Sequence, residues 1–330
     1  MLGYLIRRLF YAVLAIWAVT MISFFIINLP PGDYVTSYVA QLAIQGSIMQ
    51  FEEIENLREF YGLNQPMYVQ YLKWMNQIVH GNLGFSFEFG LPVNDVIGER
   101  LILTMILALA TITFIWLMAI PIGILSAVRQ YSIWDHTFTF FGFVGLAVPD
   151  FMLALVMMYL GFVLFHFSVG GLFSPEYVTA SWSMGRVIDL AQHMIIPILI
   201  LGTAGTASLI RITRANLLDE LRKPYVVTAR AKGLSEWRLI LKYPVRMALN
   251  PAISLTAYIL PFLVSGSIVV SVVLGLPTVG PILLKSLVAQ DMFLAGSIIL
   301  LIGSMTVVGT FLSDLLLVWA DPRVKFEGRE

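Results

Sequence analysis

The chain has 330 residues, of which 58% are hydrophobic and only 12% are charged, and its mean hydropathy is +0.85. A soluble core of this size could not enclose so much apolar surface, so lipid must solvate a large part of it. Cysteine is absent, which excludes disulfides, thiolate metal sites and cysteine nucleophiles. The four histidines are too scattered for a metal cluster, and we predict no catalytic residue, no metal and no cofactor.

Six apolar stretches are long enough to cross a bilayer, which takes about 20 residues in a helix. They lie at residues 9–29, 101–127, 137–167, 194–212, 251–274 and 294–319. The first is too long for a signal-peptide core and lacks a small-residue cleavage pattern, so we expect an anchor helix. The third is long enough to tilt or to bend at Pro149. The sequence therefore predicts an all-α, polytopic membrane protein with six transmembrane helices.

The basic residues are unevenly distributed. Most of the 20 Lys and Arg residues precede the first stretch, follow the second and the fourth, or lie in the tail, whereas residues 31–100 are acidic. Cytoplasmic loops retain Lys and Arg. We therefore expect a multi-pass protein of the plasma (inner) membrane with both termini in the cytosol.

The acidic segment between the first two stretches contains two helical patterns, at residues 41–61 and 67–79, separated by a break at 62–66. In the second pattern Tyr71, Trp74, Met75 and Ile78 recur at spacings of three and four. Such an amphipathic helix either lies at the membrane interface or packs as part of an external cap.

Two acidic residues fall inside the apolar stretches. Asp150 lies near the middle of the third stretch, where a carboxylate is costly, so Asp150 with Pro149 is a candidate for the transport pathway. The alternative is that Pro149 interrupts the helix and Asp150 caps the amides of the restarting half. Asp314 lies near the end of the sixth stretch and is expected to be a helix-packing partner.

A basic, helix-forming segment follows the fourth stretch. Pro224 suits the first position of a helix, Gly233 a helix end, and Ser235 the start of another helix with Glu236 in its first turn. The pattern predicts a rigid helix, turn, helix that docks on a partner in the cytosol. The alternative is an anchor that touches anionic lipid headgroups.

Motifs for ATP hydrolysis by this chain are missing. No G-x-x-x-x-G-K-[ST] phosphate loop occurs, because no glycine is followed by lysine, and H-E-x-x-H and G-x-S-x-G are also absent. We predict that the chain is not an enzyme and that another subunit supplies the energy.

The basic segment carries a family resemblance. Val227, Thr228 and Ala229, followed by three residues and Gly233, resemble the Glu-Ala-Ala, three residues, Gly signature of ABC importer permeases. The run TARAKGLSE at residues 228–236 resembles the dipeptide, oligopeptide and nickel branch, as do residues 62–66, 69–74, 81–86, 92–93, 275–280 and 321–323 in the same order. The chain departs from the signature where Val227 and Thr228 replace Glu and Ala, and where residues 243–246 replace its closing residues. These departures leave the choice of ATPase open.

The resemblance implies a type I ABC importer permease fold with an external segment between helices 1 and 2. It divides the chain into residues 1–30 (N-terminal cytosolic residues and transmembrane helix 1), 31–100 (extracytoplasmic segment), 101–320 (permease core with coupling loop 213–250) and 321–330 (cytosolic tail). The ATPase-coupling residues that it implies are Thr228, Ala229, Arg230, Ala231, Lys232, Gly233, Leu234, Ser235 and Glu236.

The implied partners are a second homologous permease subunit, two ABC ATPase subunits and an extracytoplasmic solute-binding protein, with membrane lipid around them and no nucleic acid. Peptides are the favoured substrate, and oligosaccharides and nickel are alternatives within the same importer class. Two rival functions remain. An ion-coupled secondary transporter should show inverted repeats, which we do not find, and a membrane scaffold would transport nothing.

Overall fold

The computed structural model describes residues 2–29, 31–44, 49–165 and 170–320. Over these residues the regular secondary structure is helical apart from one short antiparallel hairpin, and loops join the elements. The elements are α1 (Leu2–Ile27), α2 (Tyr34–Ile44), α3 (Phe51–Tyr61), α4 (Met67–Val79), β1 (Phe85–Ser86), β2 (Leu91–Pro92), α5 (Val93–Val128), α6 (Ile133–Ala147), α7 (Asp150–Phe165), α8 (Met184–Leu221), α9 (Pro224–Ala231), α10 (Glu236–Lys242), α11 (Pro244–Ala248), α12 (Asn250–Val273), α13 (Val279–Val288) and α14 (Met292–Ala320).

The chain divides into two compact units. The first contains the described residues of 1–104 and 278–307, and the second contains those of 105–277 and 308–330. The first unit holds most of the segment predicted to be external, and the second holds the basic segment. The predicted tail, residues 321–330, lies outside the described residues, as do residues 166–167 of the third stretch and the side chain of Asp314.

Long apolar helices confirm the multi-pass character of the chain. In the described part, Leu9–Ile27, Val93–Val128, Met184–Leu221 and Met292–Phe311 are long and apolar enough to cross a membrane. The pair formed by α6 and α7 makes a fifth candidate if it is counted as one span. The structure also places α12, a helix of 24 residues, over the fifth predicted stretch.

Two of the predicted apolar stretches lie within helices that are longer by many residues. Helix α5 begins at Val93 rather than at 101, and α8 runs from Met184 to Leu221 rather than over 194–212. A span predicted from hydropathy ends at the first charged residue. An acidic side chain such as Asp95 is nevertheless favourable in the first turn of a helix, where the helix dipole is positive, so the helix begins earlier. Similarly, the Ser183 hydroxyl caps α8 by accepting a hydrogen bond from the Arg186 amide, at 3.3 Å.

The third stretch bends where Pro149 predicts. Helix α6 ends at Ala147 and α7 begins at Asp150, with an angle of 101° between them. Proline has no N–H to donate, so the helical ladder cannot continue through it. A bend of this size makes two separate helices of a stretch that composition alone presents as one.

The amphipathic helix α4 has the predicted bounds, and its aromatic face is packed. The Trp74 ring is fully buried and stacks on Phe24 of α1 with 5.6 Å between ring centroids. The Trp74 indole N–H donates a hydrogen bond to the Leu83 carbonyl at 3.2 Å. The Tyr71 and Thr20 hydroxyls lie 3.1 Å apart. The Trp74 face is therefore packed within the chain, and the location of α4 relative to the membrane stays a prediction.

Glycines allow α5 and α8 to approach closely in the second unit. A Cβ built on Gly202 would lie 2.7 Å from the Phe114 ring, and one built on Gly205 would lie 2.7 Å from the Ile115 side chain. At Gly123 the nearest atom would be the Thr213 Cβ, at 2.8 Å. Larger side chains would force these helices apart.

Candidate functional site

The basic segment forms the helix, turn, helix predicted from its sequence. We call residues 224–242, which comprise α9, the following turn and α10, the elbow. Pro224 occupies the first turn of α9, and Ser235 has the extended backbone of an N-cap before α10. Gly233 lies between them with φ +77°, a left-handed conformation that glycine adopts without strain. The local sequence signals therefore fix both helices and the turn.

The inner face of the elbow is part of a hydrophobic core. Val226 and Ala229 of α9 and Leu239 and Ile240 of α10 are buried. They pack in one cluster with the ends of α5 and α8 and with α11, through Ile124, Ala127, Leu217, Val245 and Ala248. Burial of apolar surface at about 25 cal/mol per Å² anchors the elbow to both long helices. A displacement of the elbow must therefore move these helix ends.

The residues predicted to couple to an ATPase fall into two groups. Ala229 is buried, and Leu234 is partly buried against the same cluster. The others are exposed: Thr228, Arg230, Ala231, Lys232, Gly233, Ser235 and Glu236. The structure thus brings most of the predicted set to one accessible turn, and the coupling role of all nine residues stays a prediction.

An ion pair closes the turn around Gly233. The Arg230 guanidinium donates to the two Glu236 carboxylate oxygens at 2.6 and 3.0 Å. This hydrogen bond holds the pKa of the Glu236 carboxyl below its ordinary value. A Cβ at Gly233 would meet nothing within 4 Å, so only the backbone conformation restricts this position.

The junction between α8 and the elbow is also held by side chains. The Glu220 carboxylate accepts hydrogen bonds from the Lys223 ammonium and from the Tyr225 hydroxyl, each at 2.6 Å. Burial, together with this hydrogen bond, raises the pKa of the Tyr225 phenol far above its ordinary value. The phenol therefore stays protonated and keeps donating at physiological pH.

The outer face of the elbow includes apolar side chains that are not among the predicted coupling residues. Val227, Trp237 and Leu241 are exposed. The available signal was the helical period of α10: since Leu239 and Ile240 face inward, Trp237 and Leu241 must face outward. Exposed aromatic and aliphatic side chains on a rigid element are typical of a protein interface.

The candidate pathway residues lie at the bend between α6 and α7. The Pro149 carbonyl accepts hydrogen bonds from the Met152 and Leu153 amides, at 3.0 and 3.1 Å. Asp150 is partly buried, and among the described residues none forms a hydrogen bond with its carboxylate. The capping alternative therefore lacks its hydrogen bond in the described part of the chain, and the pathway role stays a prediction.

Metal chemistry finds no support in the described part of the chain, where no three His, Cys, Asp or Glu side chains are grouped to hold an ion. The elbow instead presents an exposed turn that is packed on the ends of two long helices, α5 and α8. Such a site suits a subunit that is moved by a partner rather than one that performs a reaction.

Comparison with known families agrees with a membrane transport subunit. The family model described as binding-protein-dependent transport system inner membrane component matches residues 119–326, and the corresponding N-terminal model matches residues 1–108. The chain therefore belongs to the family of inner-membrane components of binding-protein-dependent transport systems.

Named relatives cover nearly the whole chain. The oligopeptide transport system permease protein AppB of Bacillus subtilis is 36% identical over 328 residues, which is 99% of this chain and 100% of that protein. The dipeptide transport system permease protein DppB of Escherichia coli K12 is 29% identical over 98% of this chain and 99% of its own length. The oligopeptide transport system permease protein OppB of the same strain is 27% identical over 99% and 100%. The predicted permease family and its role as a transport subunit are confirmed.

Proposed function

We propose that the chain is one permease subunit of an ATP-driven ABC importer for peptides. Relatives that match it from end to end are named as oligopeptide and dipeptide permeases. The full importer would contain a second, similar permease, two ATPase subunits and an external solute-binding protein. In this arrangement six helices cross the membrane, both termini and the elbow lie in the cytosol, and residues 31–100 lie outside.

The observation that carries this proposal is the two-sided elbow. Its inner face is buried on α5 and α8, while the predicted coupling residues around Gly233 are exposed on the other side. When ATP closes the two ATPase subunits, a partner that grips the exposed turn pulls the ends of both long helices. The pathway then changes from inward to outward facing. ATP can shift this equilibrium because the ATPase subunits contact the elbow differently in the two conformations.

The transport pathway follows from the same arrangement. We propose that Asp150, beside the break at Pro149, faces a water-filled route and not lipid. A partly buried carboxylate at this depth suits the charged amino end of a peptide. The domain division given above, with a permease core at 101–320 and a coupling loop at 213–250, is part of the same proposal.

The experiment is purification followed by transport. The chain is extracted with its partner subunits, reconstituted in lipid vesicles, and supplied with solute-binding protein and ATP. We expect two ATPase subunits to co-purify with it and labelled peptides to accumulate only with ATP. Accumulation of oligosaccharide or nickel in place of peptide would change the substrate and keep the importer class. Uptake driven by an ion gradient, without an ATPase, would contradict the proposal.

A further inference from the structure

A partly buried ion pair joins the start of α6 to the last part of α8. The Arg214 guanidinium donates two hydrogen bonds to the Asp135 carboxylate, from Nε to Oδ1 at 2.7 Å and from Nη2 to Oδ2 at 2.8 Å. The side chain of Asp135 is 3% exposed and that of Arg214 is 27% exposed. This bidentate contact, which we call the fork, fixes the relative orientation of the two side chains as well as their distance.

The same carboxylate also organises the loop before α6. Asp135 Oδ2 accepts a hydrogen bond from the Tyr131 amide at 2.9 Å, and the Asp135 amide donates to the Ser132 hydroxyl at 3.3 Å. Tyr131 has φ +64°, in the left-handed region that non-glycine residues rarely adopt. The pair therefore belongs to a built structure in which Asp135 links loop, helix and Arg214.

The pair lies between the elbow and the bend. Arg214 precedes Leu217 by about one helical turn, and Leu217 is buried in the cluster that holds the elbow. On the other side, α6 continues without interruption from Ile133 to Ala147 and ends at the 101° break before Asp150. Rigid helices thus lead from the elbow, through this pair, to the candidate pathway.

We infer that Arg214 and Asp135 are positioning residues that pass a displacement of the elbow through α6 to the break at Pro149. The inference rests on the coupling role proposed for the elbow. Because the fork resists both rotation and separation, the start of α6 moves with α8, and the break takes up the change in angle. Without the fork, the partner ATPases would still hydrolyse ATP, but less of that hydrolysis would drive uptake.

The test measures solute taken up per ATP hydrolysed in the complete reconstituted transporter. Arg214→Lys keeps the charge and loses the fork, and Asp135→Asn keeps the shape and loses the charge. For both variants we expect assembly and ATP hydrolysis to stay within about twofold of the original and uptake per ATP to fall about tenfold. The exchange of Asp135→Arg with Arg214→Asp should recover part of the loss. Arg58→Gln, which breaks the Arg58–Asp33 ion pair in the first unit, is the control and should leave the ratio unchanged.

Two results would overturn the inference. One is an unchanged ratio of uptake to hydrolysis in Arg214→Lys and Asp135→Asn. The other is a parallel loss of assembly, hydrolysis and uptake in Arg214→Lys, which would assign the pair to folding alone. Failure of the elbow proposal is distinguishable, because it would appear in a transporter that keeps Arg214 and Asp135 and carries a single cysteine on the elbow, as a thiol that cannot be cross-linked to an ATPase.

Discussion

At the scale of single residues, Gly233 combines a strict backbone requirement with ample space. Its φ is +77°, yet a Cβ there would touch nothing within 4 Å. Within this chain the side chain of a replacement therefore meets no obstacle, and its backbone preference decides whether the turn is strained. Asparagine visits the left-handed region readily, whereas a β-branched residue does so only under strain.

We accordingly predict different outcomes for Gly233→Asn and Gly233→Val. The valine variant should strain the turn by about 1–3 kcal/mol and lower ATP-driven uptake while membrane insertion stays intact. The asparagine variant should keep most of the uptake, and the comparison is made in reconstituted vesicles containing equal amounts of assembled transporter. Equal uptake by both variants would show that the left-handed turn is not needed for coupling.

Asp291 is a buried carboxylate in the first unit, just before α14. It accepts hydrogen bonds from the Ser86 hydroxyl at 2.6 Å and from the Glu88 and Leu294 amides at 3.1 and 3.2 Å. Burial raises its pKa above the ordinary value in spite of these donors. The folded chain therefore binds this proton more tightly than the unfolded chain does.

The consequence is a pH-dependent part of the stability with a definite sign. The folded pKa is the higher one, so the contribution of Asp291 is most favourable below its unfolded pKa and is lost as the pH rises through the folded pKa. The asparagine of the Asp291→Asn variant cannot titrate. The difference in thermal midpoint, original chain minus variant, should therefore fall as the pH rises from 4 toward 7. A difference that increases over this range would contradict the prediction.

Contacts between residues that are distant in sequence could not be predicted. The role of Gly233 could be predicted, because glycine between two helical patterns indicates a left-handed turn. Arg214 is evident only as one basic residue among many, and nothing in the sequence connects it to Asp135. Such a pairing exists only once α6 has folded back along α8, and no local propensity encodes that event.

At the scale of elements, the two faces of α10 separate support from contact. Leu239 is 0% exposed and lies in the elbow cluster, while Leu241, two residues on, is 57% exposed. The two positions provide a matched comparison, because both changes remove the same atoms from the same helix.

We predict that Leu239→Ala destabilises the elbow and that Leu241→Ala weakens only its contact with a partner. The cavity left at Leu239 should cost about 2–5 kcal/mol and lower the thermal midpoint of the purified chain. Leu241→Ala should leave that midpoint unchanged and weaken association with the ATPase about fivefold or more, as read from co-purification at graded dilution. Unchanged association in Leu241→Ala would place the contact elsewhere on the elbow.

Element boundaries show why composition predicts helices better than it predicts their ends. The first turns of α5 and the last turns of α8 are polar, so a hydropathy window leaves them out, although the helical hydrogen bonds continue through them. By contrast, α4 was predicted at its observed bounds because Pro66 precedes it and its period is regular. Ala229 and Leu234 pack on the inner face of the elbow because that face contacts α5 and α8, a packing that no local pattern predicts.

At the scale of the whole molecule, the chain is a transport subunit that is driven by partners and does not itself hydrolyse ATP. Family membership establishes an inner-membrane component of a binding-protein-dependent transport system. The structure adds a stiff turn, its attachment to two long helices, and a broken helix beside a carboxylate. Sequence alone predicted the turn and the break, because Gly and Pro act locally. It could not predict which side chains support the turn and which are exposed.

Docking of the elbow on an ATPase subunit is tested most directly by cross-linking from the elbow. The chain contains no cysteine, so Lys232→Cys introduces one exposed thiol in this subunit without further changes. Glu52→Cys, on exposed α3, is the control. With a bifunctional thiol reagent, we predict that position 232 joins an ATPase subunit to an extent that changes with ATP and that position 52 does not. A thiol at 232 that reacts with a membrane-impermeant maleimide from outside the cell, or that never joins an ATPase in the assembled transporter, would contradict the account.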